Sequence, residues 1–259
     1  MNYENIIVKR QNGIGILIMN RPEIRNAFIT EIKEELLYAL EDMEKDKDIK
    51  CIVITGEGRA FSAGGDLSAL SEIKPLGGRK RLIDGVKLLH KVLEIEKPII
   101  AAVNGPAAGS GCSFALACDM VLASDKAFFV QSFVNVGLIP DFGAIHFLPL
   151  LIGPQRAKEM MFLGEKVSAE EALQIGLINK IIPSDKLMET TISIAENLAK
   201  KSPISIGLTK RMMNQHVNGQ LKMLLEIEAT TQDICLQTKD FKEGVASFFE
   251  KRQPMFIGK

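Results

Sequence analysis

Residues 99–112 read Ile99-Ile100-Ala101-Ala102-Val103-Asn104-Gly105-Pro106-Ala107-Ala108-Gly109-Ser110-Gly111-Cys112. A short apolar run ends in a glycine-rich segment, and a helical pattern follows. The same succession occurs upstream, where Cys51-Ile52-Val53-Ile54-Thr55 leads to Arg59-Ala60-Phe61-Ser62-Ala63-Gly64-Gly65-Asp66-Leu67. Each reads as strand, loop and helix, the unit from which parallel α/β sheets are built. Small residues let the backbone approach a ligand closely, and amides at a helix start favour negative charge. Two such loops from neighbouring strands can supply the two donors of an oxyanion hole. Neither loop fits a dinucleotide fingerprint, and no G-K-[ST] follows to make a phosphate-cradling loop.

Outward from these loops, further strands are expected at Ile14–Met19, Met120–Ala123 and Leu177–Ile182, and a charged helix at Thr30–Lys45. Ser168-Ala169-Glu170-Glu171 reads as a capping box opening a helix that stops at Gly176. Ser202-Pro203 opens another, and from about Ser184 onward the pattern is helical throughout.

The bulk numbers agree with a globular α/β protein. The chain has 259 residues, 46% of them hydrophobic and 25% charged, which suffices for a sizeable core. Thirty-two basic residues balance 32 acidic ones, so no overall field favours nucleic acid or an anionic membrane. The longest basic cluster, Arg79-Lys80-Arg81, is too short for a nucleic-acid patch. Cys51, Cys112, Cys118 and Cys235 form no C-x-x-C pair, which points to buried thiols rather than disulfides. His90, His146 and His216 lack ligand spacing, so no metal site is expected. No signal-peptide pattern and no run approaching ~20 apolar residues is present, and the expected location is cytoplasmic.

Taken together, these motifs resemble the enoyl-CoA hydratase/isomerase (crotonase) family. The resemblance rests on Asn20-Arg21-Pro22 through Asn26-Ala27, the two glycine-rich loops, Lys97-Pro98 before the third strand, Cys118-Asp119, and Gly137-Leu138-Ile139-Pro140. It also takes in Ser168 to Ala172 with Gly176-Leu177, Glu243-Gly244, and Phe248-Phe249-Glu250-Lys251-Arg252. It spans essentially the whole chain. It implies a crotonase-like α/β spiral of ββα units, with an acyl-CoA-binding catalytic core over residues 1–195. A C-terminal helical region over 196–259 would build a homotrimer or a dimer of trimers. The partner implied is an acyl-CoA thioester, with coenzyme A entering as part of the substrate and no separate cofactor.

Residue by residue, the resemblance implies that the amides of Gly65 and Ser110 hold the thioester oxygen. Arg25, Ala27, Ala63, Gly64, Asp66 and Leu67 would surround the CoA nucleotide and the acyl group, and Lys251 would reach CoA from the C-terminal region. Asp66 also suits a structural role, holding its loop through side-chain-to-backbone bonds. The family's hydratases use two glutamates. Their positions are occupied here by Ser113 and Phe133, which cannot do the work of carboxylates near neutrality. One carboxylate remains nearby, Asp141, as in isomerase branches of the family. A single carboxylate suits a 1,3-proton shift, and burial among Phe133, Phe142 and Phe147 should raise its pKa.

The leading expectation is therefore an enoyl-CoA isomerase with Asp141 as base. Hydration of an unusual unsaturated acyl-CoA, or a silent CoA-binding scaffold, are the alternatives. His90 is a near miss for a catalytic histidine and suits a surface position. Glu72 and Asp84 are minor candidates for the pocket. Met160, Met161, Phe142 and Phe162 suit core better than an acyl pocket.

Overall fold

A computed structural model of the chain describes residues 3–259. In chain order the elements are β1 (Ile6–Gln11), β2 (Ile14–Met19), α1 (Thr30–Lys45), β3 (Cys51–Gly56), α2 (Leu67–Ser71), α3 (Gly77–Glu94), β4 (Ile99–Val103) and β5 (Ala107–Ala108). They continue with α4 (Ser110–Ala117), β6 (Met120–Ser124), β7 (Phe128–Val130), α5 (Ala144–Leu163), β8 (Val167–Ser168), α6 (Ala169–Gln174) and β9 (Lys180–Ile182). The helices α7 (Leu187–Ala199), α8 (Pro203–Val217), α9 (Leu221–Leu236) and α10 (Lys239–Glu250) complete the fold.

The main sheet has the order β1-β2-β3-β4-β6-β9. β1 and β2 form an antiparallel hairpin, and every later neighbour pairs in parallel. β2, β3 and β4 are buried along their whole length, which is why they read as unbroken apolar runs. One face of the sheet carries Ile14, Ile16, Cys51, Val53 and Ile100 against α7. The other carries Leu17, Met19, Ile52, Ile54, Ala101 and Val103 against the larger core. α1 meets that core through Ile32, Leu36, Leu40 and Met43, the spacing of one helical face. A smaller sheet, β5-β7-β8, stands at the carboxyl ends of the parallel strands.

The C-terminal helices pack on the body of the same chain. Lys210 on α8 donates to the Asp119 carboxylate at 2.7 Å and to the Val92 carbonyl at 2.9 Å. α9 lies along α3, and α10 crosses the turn Ser132–Val136. Gly244 makes that crossing possible, because a Cβ there would stand 2.6 Å from the backbone of Val136.

Several local expectations are modified. The strand expected at Leu177–Ile182 spans only Lys180–Ile182. Leu177 and Ile178 instead donate to the Ala172 carbonyl and close the end of α6, with Gly176 at φ 80°. The capping box at Ser168 is half formed. Ser168 accepts from the Glu171 amide at 3.2 Å, but the Glu171 carboxylate lies 3.8 Å from Arg156 instead of turning back. Ser202 caps α8 as expected, accepting from Ser205 at 3.3 Å. Cys51, Cys112 and Cys118 are buried free thiols, and Cys235 is half-buried. Met160 and Phe142 fill core, whereas Phe162 is 69% exposed.

Replacing Gly244 by alanine should push α10 away from the 132–136 turn, at a cost of about 1–3 kcal/mol. Urea unfolding of the variant, read as a lowered midpoint at unchanged slope, checks this.

Candidate active site

β3 and β4 are parallel neighbours, so the loops that leave their carboxyl ends emerge side by side. The backbone then fastens the loops together. Ser62 and Ala107 form a parallel bridge, Ser62 donates to the Pro106 carbonyl at 3.2 Å, and Ala108 donates to the Ser62 carbonyl at 2.9 Å. Gly64 is essential to this approach. Its φ is 85°, and a Cβ on it would stand 2.6 Å from the Ala108 carbonyl oxygen and 3.3 Å from the Ser110 amide nitrogen. The segment before α1 joins the same assembly. Ala63 donates to the Arg25 carbonyl at 2.9 Å, Phe28 donates to that of Gly64 at 2.6 Å, and the Ser62 hydroxyl donates to that of Asn26 at 2.8 Å.

Between these loops lies a cavity of about 740 Å³. Gly65, Ser110 and Asp141 all line it. Among the described residues, no carbonyl or side chain accepts from the amides of Gly65 and Ser110. Ser110 is the first residue of α4, where amides are left without intrahelical partners and the helix dipole is positive. Arg25, Ala27, Ala63, Asp66, Leu67 and Phe133 also line the cavity. Asp66 caps α2, its Oδ1 accepting from Ser68 at 2.9 Å, so it also has the structural role read from the sequence.

Three of the expected catalytic or CoA-binding residues lie outside the lining, as do the minor candidates His90, Glu72 and Asp84. Gly64 is packed beneath it, between the loops. Ser113 is wholly buried and donates its hydroxyl to the Gly109 carbonyl at 3.2 Å. Lys251 is exposed and ends α10 in a left-handed conformation, although the adjacent Phe248 and Phe249 do reach the cavity. His90 is a half-exposed residue of α3 whose Nδ1 lies 4.0 Å from Glu94, and Glu72 and Asp84 are exposed.

Asp141 follows Pro140 and precedes Phe142 and Gly143, both at positive φ. This turn is braced by α9. Gln232 accepts from the Ile139 amide at 3.1 Å and donates to the Ile139 carbonyl at 2.8 Å, and it reaches Asp141 Oδ2 at 3.4 Å. One turn of helix away, both oxygens of Glu228 accept from the Gly143 amide at 3.3 Å. The other Asp141 oxygen, Oδ1, is buried without a hydrogen-bond partner among the described residues. Burial pushes the Asp141 carboxyl up to about 6, against the opposing pull of Arg81, Gln232 and Lys33. Burial, reinforced by Asp141, pushes Glu228 up to about 8. Lys33, buried in the apolar face of α1, is pushed down to about 8 by burial and by Arg81.

Arg81, Lys33, Glu228 and Gln232 were not read from the sequence as site residues. A signal was present for three of them. Lys33 sits in the helical register of Ile32 and Leu36, and Glu228 and Gln232, four apart, interrupt the buried stripe Leu225, Ala229 and Leu236. Lys166, whose ammonium stands 4.7 Å from the centre of the Phe128 ring, is a further cation on the lining.

The family profile described as Enoyl-CoA hydratase/isomerase matches residues 9–259. The chain belongs to the enoyl-CoA hydratase/isomerase family. It is 34% identical over 254 residues to a short-chain-enoyl-CoA hydratase of Clostridium acetobutylicum, covering 98% of this chain and 97% of that protein. It is 36% identical over 261 residues to a 1,2-epoxyphenylacetyl-CoA isomerase of Escherichia coli, covering 99% of each. A crystal structure of an enoyl-CoA hydratase from Mycobacterium avium subsp. paratuberculosis K-10 superposes with a TM-score of 0.90 at 30% identity, over 99% of this chain and 100% of that one. The enoyl-CoA hydratase/isomerase fold expected from the motifs is therefore the fold observed, and both hydratases and isomerases are among its relatives. No helix among the described residues is long and apolar enough to cross a membrane.

Glu228 keeps its proton in the folded chain until about pH 8, whereas an unfolded glutamate loses it near 4.5. The folded state thus binds more protons over that interval, and stability should fall as pH rises through it. Between pH 6.5 and 8 the urea midpoint of the native chain should decline, and the Glu228→Gln variant should show a flatter profile.

Proposed function

We propose that the protein is an enoyl-CoA isomerase in which Asp141 carries out a 1,3-proton shift on a thioester held by the amides of Gly65 and Ser110. The observation that carries this reading is a buried carboxylate with one unpartnered oxygen in the wall of the cavity those two amides share. Asp141 takes a proton from the carbon next to the carbonyl of a β,γ-unsaturated thioester. The released electron pair enters the carbonyl system, and negative charge gathers on the thioester oxygen between the two amides. The same proton returns to the γ carbon, the original π pair forms that C–H bond, and the double bond ends in conjugation. No water is consumed. Preorganised amides are worth ~10²–10³ in rate each, and the proton transfer ~10²–10⁴.

The two positions occupied by glutamate in hydratases support the preference for isomerisation. Phe133 lines the cavity but cannot titrate, and the Ser113 hydroxyl is turned away into the backbone of α4. Hydration is the second reading, favoured by the hydratase names of relatives that align along the whole chain. Arg25 and Lys166, at the exposed rim, suit the phosphates of CoA. Exposed Ile204, Leu208, Met212 and Met213 on α8 support assembly through the C-terminal helices, as a homotrimer or a dimer of trimers. Sedimentation equilibrium should return a mass three or six times that of the chain.

Incubation with 3-enoyl-CoA should give a 2-enoyl product of unchanged mass, whereas a gain of one water would mark hydration. Asp141→Asn should lower kcat by ~10²–10⁴ while the Kd for a saturated acyl-CoA shifts less than about threefold. For the native enzyme kcat/KM should rise with pH through about 6, as Asp141 gives up its proton. Turnover untouched by Asp141→Asn would refute the assignment of the base.

A further inference from the structure

Arg81 projects from α3 into the cavity, and Nη2 lies 3.6 Å from the position a Cβ on Gly65 would take. It is therefore close to the proposed oxyanion site and on the Asp141 side of the cavity, since Asp141 and Asp66 are its nearest carboxylates electrostatically. Yet it makes no hydrogen bond and no ion pair within 4 Å among the described residues. Its neighbours Arg79 and Lys87 on the same helix both have carboxylate partners, Glu226 and Asp84. Arg81 is partly exposed to the cavity, so its guanidinium donors are free to meet an incoming acceptor, and the fork they form suits a carboxylate.

The surroundings do not supply the missing acceptor. Asp66 Oδ1 is engaged as the cap of α2, and Asp141 Oδ2 is held by Gln232 while its Oδ1 has no partner, so neither carboxylate is bonded to Arg81. Glu228 is turned to the Gly143 amide and is protonated near neutrality. Lys33, a second buried cation without a hydrogen bond, lies behind Arg81, and its own carboxylate neighbours Asp84 and Glu31 are exposed. The cavity wall thus carries Arg81, with Lys33 near it, beside the carboxylates of Asp141 and Asp66, neither of which pairs with Arg81 within 4 Å. The nearby wall is apolar, with Leu82, Leu138 and Leu236.

We infer that Arg81 is a specificity-determining residue that binds a carboxylate on the acyl group, so that the substrates are thioesters of short unsaturated dicarboxylic acids. This rests on the acyl-CoA reading given above. An apolar stem would lie against the leucines, with the distal carboxylate forked onto Arg81.

The test uses two saturated six-carbon acyl-CoA thioesters, one ending in methyl and the other in carboxylate, titrated calorimetrically into the native protein. The carboxylate-ended thioester should bind about 10- to 100-fold more tightly. In Arg81→Met that ratio should collapse toward one, and in Arg81→Lys it should be intermediate. The corresponding β,γ-unsaturated pair should show the same ordering in kcat/KM. Equal binding of the two thioesters by the native protein, or a ratio that survives Arg81→Met, would overturn the inference and leave the thioester site standing. Failure of both thioesters to bind would remove the acyl-CoA reading itself, and this inference with it.

Discussion

A hole for a developing oxyanion requires two amides, from parts of the chain more than 40 residues apart, to point into one small volume without partners of their own. Gly65 and Ser110, proposed for that role, line one cavity because their loops are sewn to each other by main-chain hydrogen bonds, Ser62 to Pro106 and Ala108 to Ser62. Parallel pairing of β3 with β4 brings the loops together, and Gly64 permits contact closer than any side chain would allow. The geometry is thus a property of the backbone, so serine at position 110 is compatible with the proposed role. The side chain there is free to vary so long as the amide remains at the start of α4.

The carboxylate proposed to carry the proton is placed on a different principle. Asp141 sits in a turn with two consecutive positive-φ residues, a conformation that needs external support. Gln232 and Glu228, one helical turn apart on α9, provide it by gripping the backbone on either side of the carboxylate. The same burial that accompanies this support also raises the pKa of Asp141 to about 6, which suits the proposed base. Placement and acidity therefore have a common origin in the helix that covers the turn.

Much of this could be read from the chain. The strands β2, β3, β4 and β6 were legible because buried parallel strands are continuous apolar runs, and the loops because glycine clusters mark close approach. Asp141 was legible through the motif around Gly137 and Pro140, once the carboxylates expected at 113 and 133 proved absent. The short strands β5, β7 and β8 were not legible, since two or three residues carry no periodicity and are fixed only by their neighbours. Arg81, Lys33, Glu228 and Gln232 were missed for a related reason. They lie on three separate helices outside the glycine loops, and only the packing of α1, α3 and α9 shows that their polar ends converge.

The grip of α9 on the Asp141 turn has a consequence for biosynthesis. Translation proceeds from the amino end, so both glycine-rich loops leave the ribosome well before residues 228 and 232. A nascent chain can assemble its sheet and bring the two amides together while the aspartate is still unsupported. Support for the aspartate therefore arrives late, with the docking of a helix encoded downstream of both glycine-rich loops. Under the proposed reaction, a thioester bound before then would find a cradle without a proton carrier.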